Sequence, residues 1–203
     1  MKLTKMNVTK EFAEILGLLC AEGSHIVSFS SYYTVEHGRK TFRKNKGSER
    51  IEFYNKDEKL LFHYQSLLNK EFGYQSKVTK HGKINIGKRS IIREIIRHTE
   101  LGHMRWRIPN SVISSDRIVK IAFLRGFFDG DGTVISSVRM FSTNKKGIDQ
   151  LSFLLSELEF EHTMRGPVIK PNRKPHYVLR IRSKDQIKFL KEINPISKLP
   201  KLR

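Results

Sequence analysis

One cysteine, Cys20, stands in 203 residues, so neither an internal disulfide framework nor a cysteine-rich zinc site can be built. So little cysteine fits a reducing compartment. No apolar run approaches the roughly 18–20 residues a membrane-spanning helix needs. The longest, around residues 15–21, is interrupted by Gly17. The first ten residues are polar, so no secretory leader is expected. The eight histidines show no metal-ligand spacing. Acid is also scarce: 20 Asp and Glu stand against 39 Lys and Arg, a formal charge of +19. That excess exceeds what solubility needs and points to a polyanion. Nucleic acid fits better than a membrane surface, because the charge is not gathered on an amphipathic basic helix.

What is present is a duplicated pattern. Residues 11–23 read EFAEILGLLCAEG and residues 121–132 read IAFLRGFFDGDG. Both are apolar helical segments with small residues at one spacing that end in acid-glycine. Each leads to an alternating segment closing on Asn-Lys, IEFYNK at 51–56 and MFSTNK at 140–145. An amphipathic helix follows each, with Leu61, Tyr64, Leu67 and Leu68 in one copy and Ile148, Leu151, Leu154 and Leu155 in the other. Two strand-like runs come next, 75–80 and 83–87 in the first copy, 162–165 and 176–182 in the second. A last helix closes each copy, at 90–99 and 184–192. The expected fold is therefore α+β: two pseudo-symmetric αββαββα repeats, at residues 1–103 and 118–203, joined by a linker at 104–117 that holds Pro109. Thirty-three positions separate Glu22 from Asn55, but thirteen separate Asp131 from Asn144. The first repeat thus carries a longer first hairpin, about 24–55, with a basic stretch.

Gly17 and Ala21 lie four apart, as do Gly126 and Gly130, so each pair shares a helical face. A helical glycine costs roughly 1 kcal/mol against alanine. Close packing of the two strips explains that cost, and it brings Glu22 and Asp131 side by side at two negative helix ends. A cation stabilises such a pair. Carboxylate and carbonyl oxygens suit Mg²⁺ or Ca²⁺ better than zinc. Acids holding divalent metal on a basic surface are a nuclease design.

The segment 123–132, FLRGFFDGDG, closely resembles the signature of the LAGLIDADG homing endonucleases, and 15–23, ILGLLCAEG, resembles a diverged second copy. The resemblance extends to both Asn-Lys helix starts and to Arg107-Ile108-Pro109. It implies a DNA-binding saddle and a monomer that makes double-strand breaks in long, asymmetric sites. Glu22 and Asp131 match the family's metal-binding acids, and Ala21 and Gly130 match its carbonyl ligands. Mg²⁺ is the implied metal, with Mn²⁺ as substitute and Ca²⁺ binding without cleavage. Cys20 departs from the signature where the second copy has Asp129, a position that is not the metal ligand. A buried, structural Cys20 is expected.

Strand alternation nominates DNA readers. In residues 26–35, Val27, Phe29, Tyr33 and Val35 are the apolar set, and Ser28, Ser30, Tyr32 and Thr34 form the opposite face. Arg50, Glu52 and Tyr54 are outward on the next strand, and Gln75, Lys77 and Thr79 beyond it. Arg139, Arg165, Arg180 and Arg182 do this in the second repeat. Arg39, Lys40, Arg43 and Lys44 belong to the long hairpin, where lysines such as Lys44 and Lys46 suit phosphates. Asn55, Lys56, Asn144 and Lys145 recur at one structural point. They read either as helix caps with solvated lysines or as groups that flank the metals. The leading expectation is an intracellular, metal-dependent, site-specific DNA endonuclease needing no protein partner. It would work in a prokaryotic cytoplasm or nucleoid, or in an organelle. A non-cleaving RNA maturase on the same fold and the endonuclease part of an intein are the alternatives.

Overall fold

The computed structural model describes residues 8–169, 171–172 and 174–198; the extreme N-terminus read above for a leader lies outside them. The first repeat runs α1 (Lys10–Glu22), β1 (Gly23–Glu36), β2 (Arg39–Tyr54), α2 (Glu58–Phe72), β3 (Lys83–Ile86) and α3 (Arg89–His98). A short α4 (Asn110–Ile113) lies in the linker. The second repeat runs α5 (Arg117–Asp131), β4 (Gly132–Val134), β5 (Val138–Ser142), α6 (Lys145–Glu157), β6 (His162–Val168), β7 (His176–Ile181) and α7 (Gln186–Ile193). The two antiparallel sheets have orders β1-β2-β3 and β4-β5-β7-β6.

Polar residues start the helices as side-chain chemistry requires. Thr9 accepts from the Phe12 amide at 3.0 Å, Asp57 from Lys59 at 2.9 Å and Asp116 from Val119 at 3.0 Å. One continuous core runs between helices and sheets through both repeats. Ile51, Phe53, Leu60, Tyr64 and Ile84 fill it in the first; Met140, Leu151, Leu155, Leu179 and Phe189 fill it in the second. The linker is part of this core: Trp106 is buried, its ring 5.0 Å from that of Phe127. A Cβ on Gly147 would lie 2.5 Å from the same indole, so only glycine fits there.

Two expectations are corrected. The run 75–80 is not a strand; a single bridge, Val78 to Ile84, is its only pairing among the described residues. Gln75 and Lys77 are therefore exposed loop residues, and Thr79 is half-buried, its hydroxyl accepting from the Lys83 amide at 3.1 Å. The second correction concerns β1. Val27, Phe29, Tyr33 and Val35 do occupy the core-side face, since His25 of the same alternation pairs with buried Ile51. All four are nevertheless exposed, because the hairpin runs beyond the helices that cover its base. The turn His37-Gly38, with φ of 50° and 76°, closes this hairpin. A register shift between Ser30 and Tyr32 accommodates one extra residue near Asn45, whose amide donates to Ser31 Oγ at 3.0 Å.

Candidate cleavage centre and nucleic-acid face

Helices α1 and α5 pack with almost nothing between their backbones. A Cβ on Gly17 would fall 2.1 Å from the Phe123 carbonyl oxygen, and one on Gly126 would fall 2.2 Å from that of Glu14. Each Cβ would also fall 2.9 Å from the amide nitrogen that follows the other glycine, Phe127 or Leu18, so each glycine is wedged between that residue and the partner's preceding turn. One on Gly130 would lie 2.4 Å from the Ala21 methyl. The buried carboxylate of Glu14 pins the pair, accepting from His63 Nε2 at 2.6 Å and from Arg125 Nη1 at 3.2 Å. Both helices end where the chain turns directly into a strand at Gly23 or Gly132. A Cβ there would strike the carbonyl of Leu19 at 2.5 Å or of Phe128 at 2.3 Å.

This packing sets Glu22 and Asp131 at neighbouring helix ends. Burial pushes both carboxyls up, and Asp131, facing the Glu22 charge as well, reaches about 7. The cation acting against that rise at both acids is Lys198, near the C-terminus. Among the described residues no group of three or more His, Cys, Asp or Glu side chains is placed to hold a metal ion. The donors available for a metal are thus two carboxylates and helix-end carbonyls such as those of Ala21 and Gly130. This is hard-oxygen chemistry, which fits Mg²⁺, Mn²⁺ or Ca²⁺ with water and phosphate completing the shell. Beside Asp131 opens a cleft of about 270 Å³ lined by Ala21, His103, Trp106, Phe141, Thr143 and His176, among others.

The two sheets present different polar faces. On the first, Ser28 pairs with Ser48, Ser30 with Lys46, Tyr32 with Arg43 and Thr34 with Thr41. Arg39 is on this face as well. Ser28, Ser30 and Tyr32 are exposed, and Thr34 and Arg43 are half-buried. Lys40 pairs with Val35 on the opposite face, its ammonium 4.6 Å from the Tyr33 ring centre. Lys44 is exposed beside the register shift. Glu52 is held by Arg50 Nε at 2.8 Å and Lys83 Nζ at 3.2 Å, and the Arg50 hydrogen bond keeps its carboxyl low. Tyr54 is exposed and pairs with Lys83.

On the second sheet, Arg139 lies directly opposite Arg180, which lies opposite Thr163; Arg165 is two pairs along, opposite Val178. Arg139 donates from Nη2 to Ser136 at 2.9 Å, but its buried Nε has no partner. Like charges directly opposed are unfavourable in a free sheet, and an anion on this face would offset that cost. Arg165, Arg180 and Arg182 are exposed.

The Asn-Lys pairs are not equivalent. Asn144 is buried and fully engaged: it caps α6 through Gly147 N at 3.1 Å, accepts from Arg107 Nη1 at 3.1 Å and donates to the Trp106 carbonyl at 2.7 Å. Of the two readings of Asn144, these contacts are those of a helix cap, which also clamps the linker. Lys145 is bound to Asp149 at 2.5 and 2.6 Å. Asn55 accepts from the Asp57 amide at 2.9 Å and, with exposed Lys56, borders a cleft of about 640 Å³ that also includes Thr79 and Lys83. Sequence reasoning missed Lys198, whose charge acts on both acids, and Glu14, which ties α1 to α5. Cys20 is buried, as expected; burial pushes its thiol up to about 12.

Two αβ repeats meeting through small-residue helices, with one acid at each helix end beneath two sheets, define the fold of the two-repeat homing endonucleases. I-DmoI, as seen in its mesophilic variants, is 22% identical with a TM-score of 0.65, covering 92% of this chain and 96% of that one. I-DmoI in complex with DNA and Ca superposes with a TM-score of 0.64 at 22% identity, covering 92% and 90%. I-SmaMI bound to uncleaved DNA in the presence of calcium ions gives 0.57 at 13% identity, covering 94% and 86%. Residues 38–108 and 119–194 each match the LAGLIDADG-like domain, and the chain belongs to that family. Curated relatives include a DNA polymerase of Thermococcus hydrothermalis, 28% identical over 75% of this chain, and one of Methanocaldococcus jannaschii, 28% identical over 92%. The chain spans only 8% and 11% of their lengths.

Proposed function

We infer that the chain is a divalent-metal-dependent, site-specific endonuclease that cuts both strands of a long, asymmetric DNA duplex as a monomer. One observation carries the reading: two desolvated carboxylates from different repeats, Glu22 and Asp131, meet at packed helix ends on a chain of charge +19. Left alone, such a pair repels itself at the negative ends of two helix dipoles. The carboxylates and the carbonyls of Ala21 and Gly130 would hold Mg²⁺ or Mn²⁺. When bound, the metal supplies Lewis acidity and an acidified water. The protein's own residues bind and orient the duplex. Arg139, Arg165, Arg180 and Arg182 supply guanidinium donors that suit guanine edges or phosphates. The hydroxyls of Ser28, Ser30 and Thr34, with Arg39, Arg43 and Arg50, present a different face to the other half-site. Tyr54 and Glu52 extend that face, and Lys44 suits a phosphate.

Incubation with Mg²⁺ and a randomised duplex library, followed by sequencing of the cut ends, tests this reading. Recovery of one non-palindromic consensus is the expected result. Binding without any cut ends would favour the non-cleaving, maturase-like alternative. A second proposal concerns context. The relatives named DNA polymerase are about ten times longer than the matched segment, which favours an endonuclease unit carried inside a larger host, as in an intein. Immunoblotting of host extracts for a free 23.7 kDa chain or a larger precursor distinguishes the arrangements.

A further inference from the structure

After α7 the chain turns sharply at Asn194, in the left-handed region at φ 47°, and Arg125 Nε ties down the Ile193 carbonyl at 2.7 Å. The next residues are seized by Asp129. Its carboxylate, almost wholly buried, accepts from the Ile196 amide at 3.0 Å, from the Ser197 amide at 2.9 Å and from the Ser197 hydroxyl at 3.2 Å. The same hydroxyl also donates to the Asp129 carbonyl at 3.3 Å. The clamp holds Ile196 and Ser197 against the last turn of α5, and half-buried Lys198 follows directly. Lys198 is the cation whose field reaches both Glu22 and Asp131.

Among the described residues the first repeat offers no counterpart. The corresponding position, Cys20, faces the linker, with its thiol 3.9 Å from the Arg107 carbonyl. The Arg107 guanidinium is turned onto Asn144 and the carbonyls of Arg105 and Trp106. Lys145 is occupied by Asp149, and Lys56 borders a separate cleft.

Resting on the endonuclease reading above, we propose that residues 196–198 are a strap, clamped by Asp129, that delivers the ammonium of Lys198 as one catalytic cation shared by both halves of the cleavage centre. There it faces the two scissile phosphates and offsets the charge that grows on each as its bond to the leaving oxygen breaks. Sharing makes the two strand cuts depend on one residue. Symmetric lysines, one per repeat, would make each cut depend on its own.

The test is single-turnover cleavage of a supercoiled plasmid bearing the selected site, with DNA affinity measured in parallel in Ca²⁺. Wild type, Lys198→Met, Lys198→Arg, Ser197→Pro, Lys56→Met and Lys145→Met are compared. Lys198→Met should slow both strand cuts together by about 10²-fold, the scale of one lost transition-state donor, with no build-up of nicked circle and DNA affinity within about twofold. Lys198→Arg should recover part of the rate, and Ser197→Pro, which removes both strap donors of that residue, should resemble Lys198→Met. Normal cutting by Lys198→Met, or slowing of one strand alone, would overturn the strap. Nicked circle from Lys56→Met or Lys145→Met with Lys198→Met unaffected would assign the role to the symmetric pair. Failure of wild type to cut any selected site would overturn the endonuclease reading, and the strap with it.

Discussion

The two repeats agree where the helices meet and differ almost everywhere else. Gly17 and Gly126 are interchangeable in role, each set against backbone where a Cβ would lie about 2 Å from a carbonyl oxygen. The strands that follow diverge: β1 and β2 span residues 23–54 with hydroxyl-rich pairs, whereas β4 and β5 span 132–142 and lead to opposed arginines. Position 20 and position 129 show how a motif residue can differ between the repeats and still be satisfied. The linker presents a carbonyl to Cys20, which a weak S–H donor tolerates and a carboxylate would not. The C-terminal strap presents amide N–H groups to Asp129, which a carboxylate satisfies. The symmetric part of the molecule is thus the part that holds the two acids together, and the asymmetric part carries the faces proposed to meet DNA.

The sharpest way to break this division is at the acids. Glu22→Gln and Asp131→Asn should each reduce double-strand cutting by at least about 10³-fold and leave duplex binding nearly intact, since metal ligation is lost while the basic faces remain. A variant that linearises the target plasmid at the wild-type rate would show that its repeat does not contribute to the centre. Next in size is the helix contact. Gly126→Leu should cost well beyond the usual 1–3 kcal/mol of overpacking, because backbone rather than a side-chain tip blocks the site. Calorimetry should show loss of the cooperative transition or a steep drop in Tm, with cleavage lost in parallel.

The faces come next. Replacing Arg139 and Arg180 by alanine should relax base preference in the second half-site only, at about 1–3 kcal/mol per base contact. Deleting residues 36–47 should shorten the footprint on the first side only. Both should reduce the salt dependence of binding, by about 0.9 in log–log slope for each phosphate no longer neutralised. Footprints that shrink symmetrically would contradict unlike halves.

The smallest effect is on stability. The Asp131 carboxyl is pushed up to about 7 from 3.8, so between those values the folded chain keeps a proton that the unfolded chain has released. Stability of the metal-free protein should therefore fall as pH rises through that window, and the full penalty should be in place above it. At pH 8, Asp131→Asn should raise the metal-free Tm by a few degrees. At pH 4 the gain should vanish. A Tm for this variant below wild type at pH 8 would contradict a strained acid pair.

Much of this was legible in the sequence because it was written twice. The acid-glycine helix ends, the small-residue strips and the Asn-Lys starts recur, and period alone separates helix from strand at 58–72 and 145–157. Three features were not legible. The run 75–80 alternates like a strand, but after α2 it finds only the bridge at Val78. Asn144 and Asn55 share a motif, yet the Trp106 and Arg107 contacts that bury Asn144 come from a linker far away in sequence. Lys198 carries no local signal: its place depends on a long-range clamp, Asp129 to Ile196 and Ser197.

Native mass spectrometry of the protein on its selected target in Ca²⁺, followed by addition of Mg²⁺, tests the central claim most directly. We expect one protein per duplex on a non-palindromic site, and both strands broken by that single molecule. Two proteins per duplex, or a palindromic consensus, would contradict one chain holding both acids.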